Sequence, residues 1–346
     1  MIPLPKLKTI AAAAGACVAI FTATPASAFV YAVSHLDIQN LSLKFFDPAP
    51  GGTTINSFSF DLTNSATMNG LSAFQTASCN SSSSPCVPVA ASPGVQASVL
   101  NAPVATAPGS IGQPAGEDNY SFAVNKFAPN SFSRGDSIIR TSELLQAPKL
   151  TSTEQIAESL LNITGQAKAN ALIQSNTSLT TSVSFKGAGG IVDLNFDADP
   201  DQSAEIGGGS TGVLAQSDLN TSFTLTNTTG GFVNFTPNGL GNLDCTSNIA
   251  GVVCSVINDI GTDLNFNASR STAGITNNSF DPGLVLANFG IHITGLGNDT
   301  YQLAFNANTS TSIVAAAVPE PGTTGLVGAA LAGLAFTTVR RKRKQS

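Results

Sequence analysis

The 346-residue chain has no tryptophan, three tyrosines, two methionines and two histidines. Charged residues make up 10% of it, where about 25% is usual for soluble proteins. Each shortage excludes something. Without tryptophan and with so little tyrosine, the usual aromatic platform of a carbohydrate binder is missing, although phenylalanine is plentiful. The histidines, His35 and His292, stand alone, which weakens a zinc reading. Seven of the fifteen Lys and Arg residues sit at the termini: Lys6, Lys8 and the final five. Eight remain against twenty acidic residues once Glu320 is set aside with the tail, a net charge near −12 for the body. Such a body has no basic patch for a phosphate backbone, so nucleic-acid binding is excluded. No cofactor motif stands out.

The N-terminus does carry a pattern. Lys6 and Lys8 precede an apolar run from Ile10 to Phe21, then Pro25 and Ala26-Ser27-Ala28. That is the order of a secretory signal peptide, and the run is too short for a membrane span. Residues 1–28 are therefore expected to be removed between Ala28 and Phe29 by a Sec-type export machinery. Cys17 leaves with them. Four cysteines remain as two local pairs, Cys79/Cys86 and Cys245/Cys254. An even count in an exported chain predicts disulfides. Of three connectivities, short-range pairing is preferred here.

The body, 29–318, reads as β. SFSFDL (57–62), SLTTSVSF (178–185), IVDLNF (191–196), TSFTLT (221–226), FVNF (232–235), DLNFNAS (263–269), GIHIT (290–294) and YQLAFNA (301–307) alternate polar and apolar residues. Gly189-Gly190, Gly230-Gly231 and Asn238-Gly239 mark turns, and Gly230-Gly231 predicts a hairpin. The expected fold is mainly β, an antiparallel sandwich or jelly-roll-like ectodomain. One amphipathic helix is expected over 151–175. There Thr151 and Glu154 have capping-box spacing, and Ile156, Leu160, Ile163, Ala167 and Ala171 recur every three or four residues. Six prolines between Ser81 and Gly116 predict a long exposed loop, with short edge strands near 87–89 and 95–99.

The acidic run Asp193–Glu205 is the one tempting site. Asp197, Asp199, Asp201 and Glu205 offer hard oxygen ligands for calcium. The EF-hand match fails, since Gln202 and Gly208 stand where glycine and glutamate are needed. A strand-end turn of solvated aspartates is the blander expectation. Arg134-Gly135-Asp136 spells an adhesion tripeptide and is read as chance or a turn.

The last thirty residues divide into three parts. Pro319-Glu320-Pro321 comes first. Seventeen small and apolar residues follow, 323–339, about 25 Å of helix and enough for a thin bilayer. Arg340, Arg341, Lys342, Arg343 and Lys344 close the chain and would stay cytoplasmic. In that order the three parts, spanning 319–346, resemble the PEP-CTERM bacterial sorting signals. The resemblance implies a Gram-negative-type envelope and an exosortase that cleaves near the triplet. It also implies a transient membrane anchor, a final place at the cell surface or extracellular matrix, and an association with exopolysaccharide and biofilm. Gly116–Leu144 resembles the segment that names the EDSAP-type subfamily, although Asp118 is followed by Asn119-Tyr120-Ser121.

Three functions follow as expectations. The first is a non-enzymatic exported surface protein. The second is a glycan- or calcium-binding ectodomain. The third is a secreted hydrolase, whose carboxylate pair would meet only in the fold.

Overall fold

The computed structural model describes residues 29–50, 52–80, 95–100, 131–140, 151–162, 169–207, 212–257, 261–271, 276–280 and 286–315. They form strands β1 (Phe29–Phe46), β2 (Thr54–Met68), β3 (Leu71–Asn80), β4 (Val95–Leu100), β5 (Phe132–Arg140), β6 (Thr151–Asn162), β7 (Ala169–Ser184) and β8 (Gly190–Gly207). There follow β9 (Val213–Asn227), β10 (Phe232–Phe235), β11 (Cys245–Ser247), β12 (Val253–Ile257), β13 (Asn267–Ser271), β14 (Thr276–Phe280), β15 (Ala287–Leu296) and β16 (Thr300–Ala315). A single 3-10 turn, Gly241–Asp244, precedes β11. The first sheet runs β12-β15-β8-β1-β6-β5-β4, with β14 also on β8. The second runs β11-β10-β9-β16-β7-β2-β3, with β13 also on β9. The long central pairs, such as β1 with β8 and β16 with β7, are antiparallel. The expected mainly antiparallel β fold is observed.

All eight stretches read as strands lie on strands. DLNFNAS enters only at Asn267, because Asp263 turns the chain by accepting the Asn265 N–H at 2.7 Å. The Gly230-Gly231 step joins β9 to β10, and Gly230 takes φ +85°, open to glycine at no steric cost. Of the proline-rich stretch, 95–100 is described and forms edge strand β4. The expected strand at 87–89 lies outside the described residues.

The helix over 151–175 is not formed. Residues 151–162 are β6, paired with β1 and β5 along its length, and β7 begins at Ala169. The reason is burial on both faces. Ala157 and Leu161 point into the inter-sheet core, while Ile156 and Leu160 join Phe29, Tyr31, Val33 and Phe132 on the other face. A strand buried on both sides loses its alternation, and its apolar residues then fall by chance at helical spacing. Glu154 is no capping residue but a sheet-face carboxylate. Ile163 and Ala167 lie outside the described residues.

Between the sheets the core has two unlike halves. One is aromatic: Phe196 stacks on Phe289 at 5.3 Å and meets Phe305 edge-on at 5.6 Å, with Phe185, Phe223, Phe235 and Tyr301 nearby. The other is small: Ala32, Ala66, Ala157, Ala171, Ala204 and Ala215, filled in by Val30, Ile173, Ile206 and Ile313. Hydroxyl groups cross from sheet to sheet where the halves meet. Ser217 donates to the Val33 carbonyl at 2.6 Å, and Ser34 to the Asp218 carbonyl at 2.9 Å. Thr153 bonds Thr177 at 3.2 Å and Ser159 bonds Thr311 at 2.9 Å. Sheets normally stack about 10 Å apart, and a serine hydroxyl reaches a facing backbone only if they stand well inside that. Gly135 shows the same squeeze: a Cβ there would lie 2.8 Å from Ile173 Cδ1. Arg134-Gly135-Asp136 is thus no turn. It lies inside β5, where its glycine permits close sheet approach.

The two ends of the described body leave from the same end of the sandwich, since Val30, Ile206, Val213 and Ala315 share the small-residue core. At the far half, β10 to β12 close one lateral edge between the two sheets. Cys245 and Cys254 are bonded there, as expected. Cys79 lies on β3, and its expected partner Cys86 lies outside the described residues. The bond closes a loop with a separation of nine residues, which predicts about 2–3 kcal/mol of stabilisation. The Cys245→Ser/Cys254→Ser double variant should lose that amount in urea unfolding, with unchanged β content by circular dichroism. No loss would remove the staple's energetic role.

Candidate functional site

Chemistry-bearing side chains gather on the outer face of the first sheet. Strand β8 sets this up, because its odd-numbered residues face outward from Asp193 to Glu205. Asp197, Asp199 and Asp201 are therefore in mid-strand, not in a terminal turn. The expectation of a solvated turn ended the strand at Phe196. The strand runs on through Pro200, which lies between the β15 register, ending at Ala198, and the β14 register, starting at Gln202. Proline is tolerated where its missing N–H leaves no ladder bond unmade.

Register brings other groups beside them. On β1, Gln39, Asp37, His35 and Tyr31 lie opposite Asp197, Asp199, Asp201 and Glu205. On β6, Glu154 lies opposite Asp37 and Ile156 opposite His35. A bulge at Gln39–Leu41 puts Asn40 at φ +56°, and its amide donates to Asp197 Oδ2 at 2.6 Å. Asn288 of β15 donates to the other oxygen at 2.8 Å. Gln39 donates to Asp37 at 2.6 Å, and Ser203 to Glu205 at 2.8 Å.

His35 is the centre of this face. Its Nδ1 lies 3.3 Å from Asp201 Oδ2 and its Nε2 3.4 Å from Glu154 Oε1. Burial alone pushes the imidazolium toward neutrality. The hydrogen bonds and charges of Asp201 and Glu154 outweigh that and raise its pKa to about 9. His35 is thus an imidazolium at neutral pH, which fits it to hold carboxylates and unfits it as a general base. His292 pairs with Asp193 on the same face, nearer the far end.

A second network lies beside the first. Arg134 Nε donates to Glu158 Oε2 at 2.7 Å, and the Tyr31 hydroxyl donates to Glu158 Oε1 at 2.7 Å. Arg134 is 1% exposed and Glu158 fully buried, so the pair is desolvated. Burial, then the Glu158 charge, holds the Tyr31 hydroxyl well above its ordinary pKa. The pair fixes β5 against β6 through charge-assisted bonds. Arg134 is therefore not an exposed adhesion residue.

The four acidic candidates share one face but form a line along a strand, with i and i+2 residues about 7 Å apart. Calcium needs six to eight oxygens at 2.3–2.6 Å from a common point. Among the described residues no group of three or more His, Cys, Asp or Glu converges in that way. Sequence reading missed His35, Glu154, Glu158, Arg134 and Tyr31 as partners. Only the strand register brings these residues together, across separations from 24 to 166 positions.

The pH dependence follows from His35. Its folded pKa lies above the unfolded value of 6.5, so its contribution is complete below that value and is lost as pH rises through about 9. The size is about 3 kcal/mol. His35→Gln should lower unfolding stability by about that much at pH 6 and by little above pH 10. A deficit that is constant with pH would refute the charged clamp.

The remaining expected residues lie outside the described ones: Ala28, Pro319, Glu320, Pro321, Arg340, Arg341, Lys342, Arg343 and Lys344. Phe29 is the first residue of β1. Among the described residues no helix is long and apolar enough to cross a membrane. The expected span at 323–339 lies beyond them. No curated protein and no solved structure matches the chain. The PEP-CTERM protein-sorting motif matches residues 317–342. The body of two antiparallel sheets thus leads into a PEP-CTERM sorting motif, which marks an exported chain anchored at its C-terminus before exosortase cleavage.

Proposed function

We propose that the protein is a non-enzymatic component of the bacterial cell surface or extracellular matrix, delivered by exosortase processing of its tail. The observation that carries this is the sorting motif at 317–342, directly behind β16. Residues 1–28 serve as its export signal, cut between Ala28 and Phe29. Residues 323–339 hold it in the membrane with the basic tip inside. Exopolysaccharide of a biofilm is the proposed surrounding. The non-enzymatic reading is supported by the outer face of the first sheet, where His35 stays protonated and Asp37, Asp197 and Glu205 accept local side-chain donors. Such groups brace a sheet.

The test is the triple substitution Pro319→Ala, Glu320→Ala and Pro321→Ala in the native host. The wild-type chain should reach the surface shortened at both ends, and mass spectrometry of the mature chain fixes both cuts. The variant should accumulate in the inner membrane with its tail intact. Equal processing and location for both chains would sink the exosortase reading.

A further inference from the structure

We propose that the outer face of the second sheet, at the end where the chain leaves the body, rests against the bilayer that holds the tail before cleavage. Register sets Thr67, Leu172, Ser312 and Gln216 in one row of this face, and Val314 beside Leu214 in the next. The residues that alternate with them, Ile173, Ala215 and Ile313, are buried in the small-residue core, so this set points outward. Leu172 is 52% exposed and Val314 36%. Val314 stands one residue before Ala315, the end of β16, and Leu172 three residues after Ala169, which pairs with Ala315. Both apolar side chains are thus at the exit.

The tether decides what covers them, and the tether belongs to the sorting reading, on which this contact rests. Thr323, the first residue of the expected span, stands eight residues after Ala315. Eight residues reach at most about 28 Å. The sixteen residues of β16 are about 54 Å long. An anchored body therefore cannot stand off the bilayer by more than about half its own length, and the exit end is the part held against it. Leu243 and Val253 are also exposed, but they lie in the far half, away from the tether.

Charge turns the body the same way. Strands β2, β3, β7, β9 and β16 carry two charged residues between them, Asp61 and Asp218, and neither lies in the two rows nearest the exit. Strand β8 of the first sheet alone carries Asp193, Asp197, Asp199, Asp201 and Glu205. Anionic headgroups repel the first sheet and leave the second to face the lipid. Two aliphatic side chains are too little to hold a free protein on a membrane. Tethering makes the contact intramolecular, so a weak contact suffices, and loss of the tether ends it.

The chain has no tryptophan, so one substitution makes an optical probe. The full chain is reconstituted through its tail into vesicles of phosphatidylethanolamine and phosphatidylglycerol, with and without brominated acyl chains that quench tryptophan at the bilayer. Leu172→Trp is compared with Leu243→Trp, whose site is 80% exposed beside the disulfide. A side chain seated in the headgroup boundary is within reach of the bromines, so Leu172→Trp should lose about half of its fluorescence and Leu243→Trp almost none. Adding Val314→Asp to the Leu172→Trp chain should abolish the quenching at an unchanged melting temperature. Equal quenching at the two sites, or none at Leu172→Trp, overturns the contact while the chain still floats with the vesicles. Quenching that survives Val314→Asp overturns it as well, since tryptophan alone would then explain the binding. A chain that does not float with the vesicles in a density gradient overturns the anchoring, and the contact with it.

Discussion

Ser34 and Ser217 tie the two sheets by donating to the Asp218 and Val33 carbonyls of the facing strand, and much of the fold follows from that closeness. A hydroxyl buried without a partner costs on the order of 1–3 kcal/mol, while one bonded to a facing carbonyl is stabilising. The bond forms only when the sheets stand close. Closeness then limits what fits beside it. Ala32, Ala157, Ala204 and Ala215 occupy the inner faces on that side, and Gly135 lies against Ile173. Beyond the serines the sheets admit phenylalanine, and Phe196, Phe289 and Phe305 fill the wider half. The abundance of Ser, Thr, Asn and Ala is therefore part of the core as well as a substitute for surface charge.

The outer face of the first sheet uses a different economy. Charges are few, and where they gather they are matched locally. His35 stands between Asp201 and Glu154, and Arg134 beside Glu158. A desolvated ion pair is seldom a net gain over apolar packing, but losing one member leaves the other buried and costs several kcal/mol. Such pairs therefore fix register. A slip of one residue between β1 and β8 would turn His35 into the core and Leu36 toward Asp201.

What the sequence made legible was decided by which faces are buried. TSFTLT and YQLAFNA sit on strands with one buried and one wetter face, and their alternation was plain. On β6 both Ile156 and Ala157 are fully buried, and alternation vanished. Local propensity then favoured helix, and pairing with β1 and β5 overrode it. The acidic run was legible as composition but not as geometry, since nothing local distinguishes Asp197 on a strand from Asp197 in a turn. Arg134-Gly135-Asp136 misled for a related reason. Glycine was read through its freedom of φ, whereas its missing Cβ is what β5 uses. The tail was legible because its three parts stand in order along the chain, so no strand register was needed to bring them together.

That tail also constrains its processing. Ala315 ends β16, a central strand bonded on both sides to β7 and β9, and Pro319 follows four residues later. Four residues span at most about 14 Å. A membrane protease acting at Pro319–Pro321 must therefore work close against the folded body, at the end built from Val30, Val213 and Ala315. Unwinding the end of β16 to gain reach would break ladders on both of its edges and expose Ile313 and Ala315 of the small-residue core. Prolines without N–H groups cannot extend a sheet, so Pro319 and Pro321 limit how far β16 could be continued.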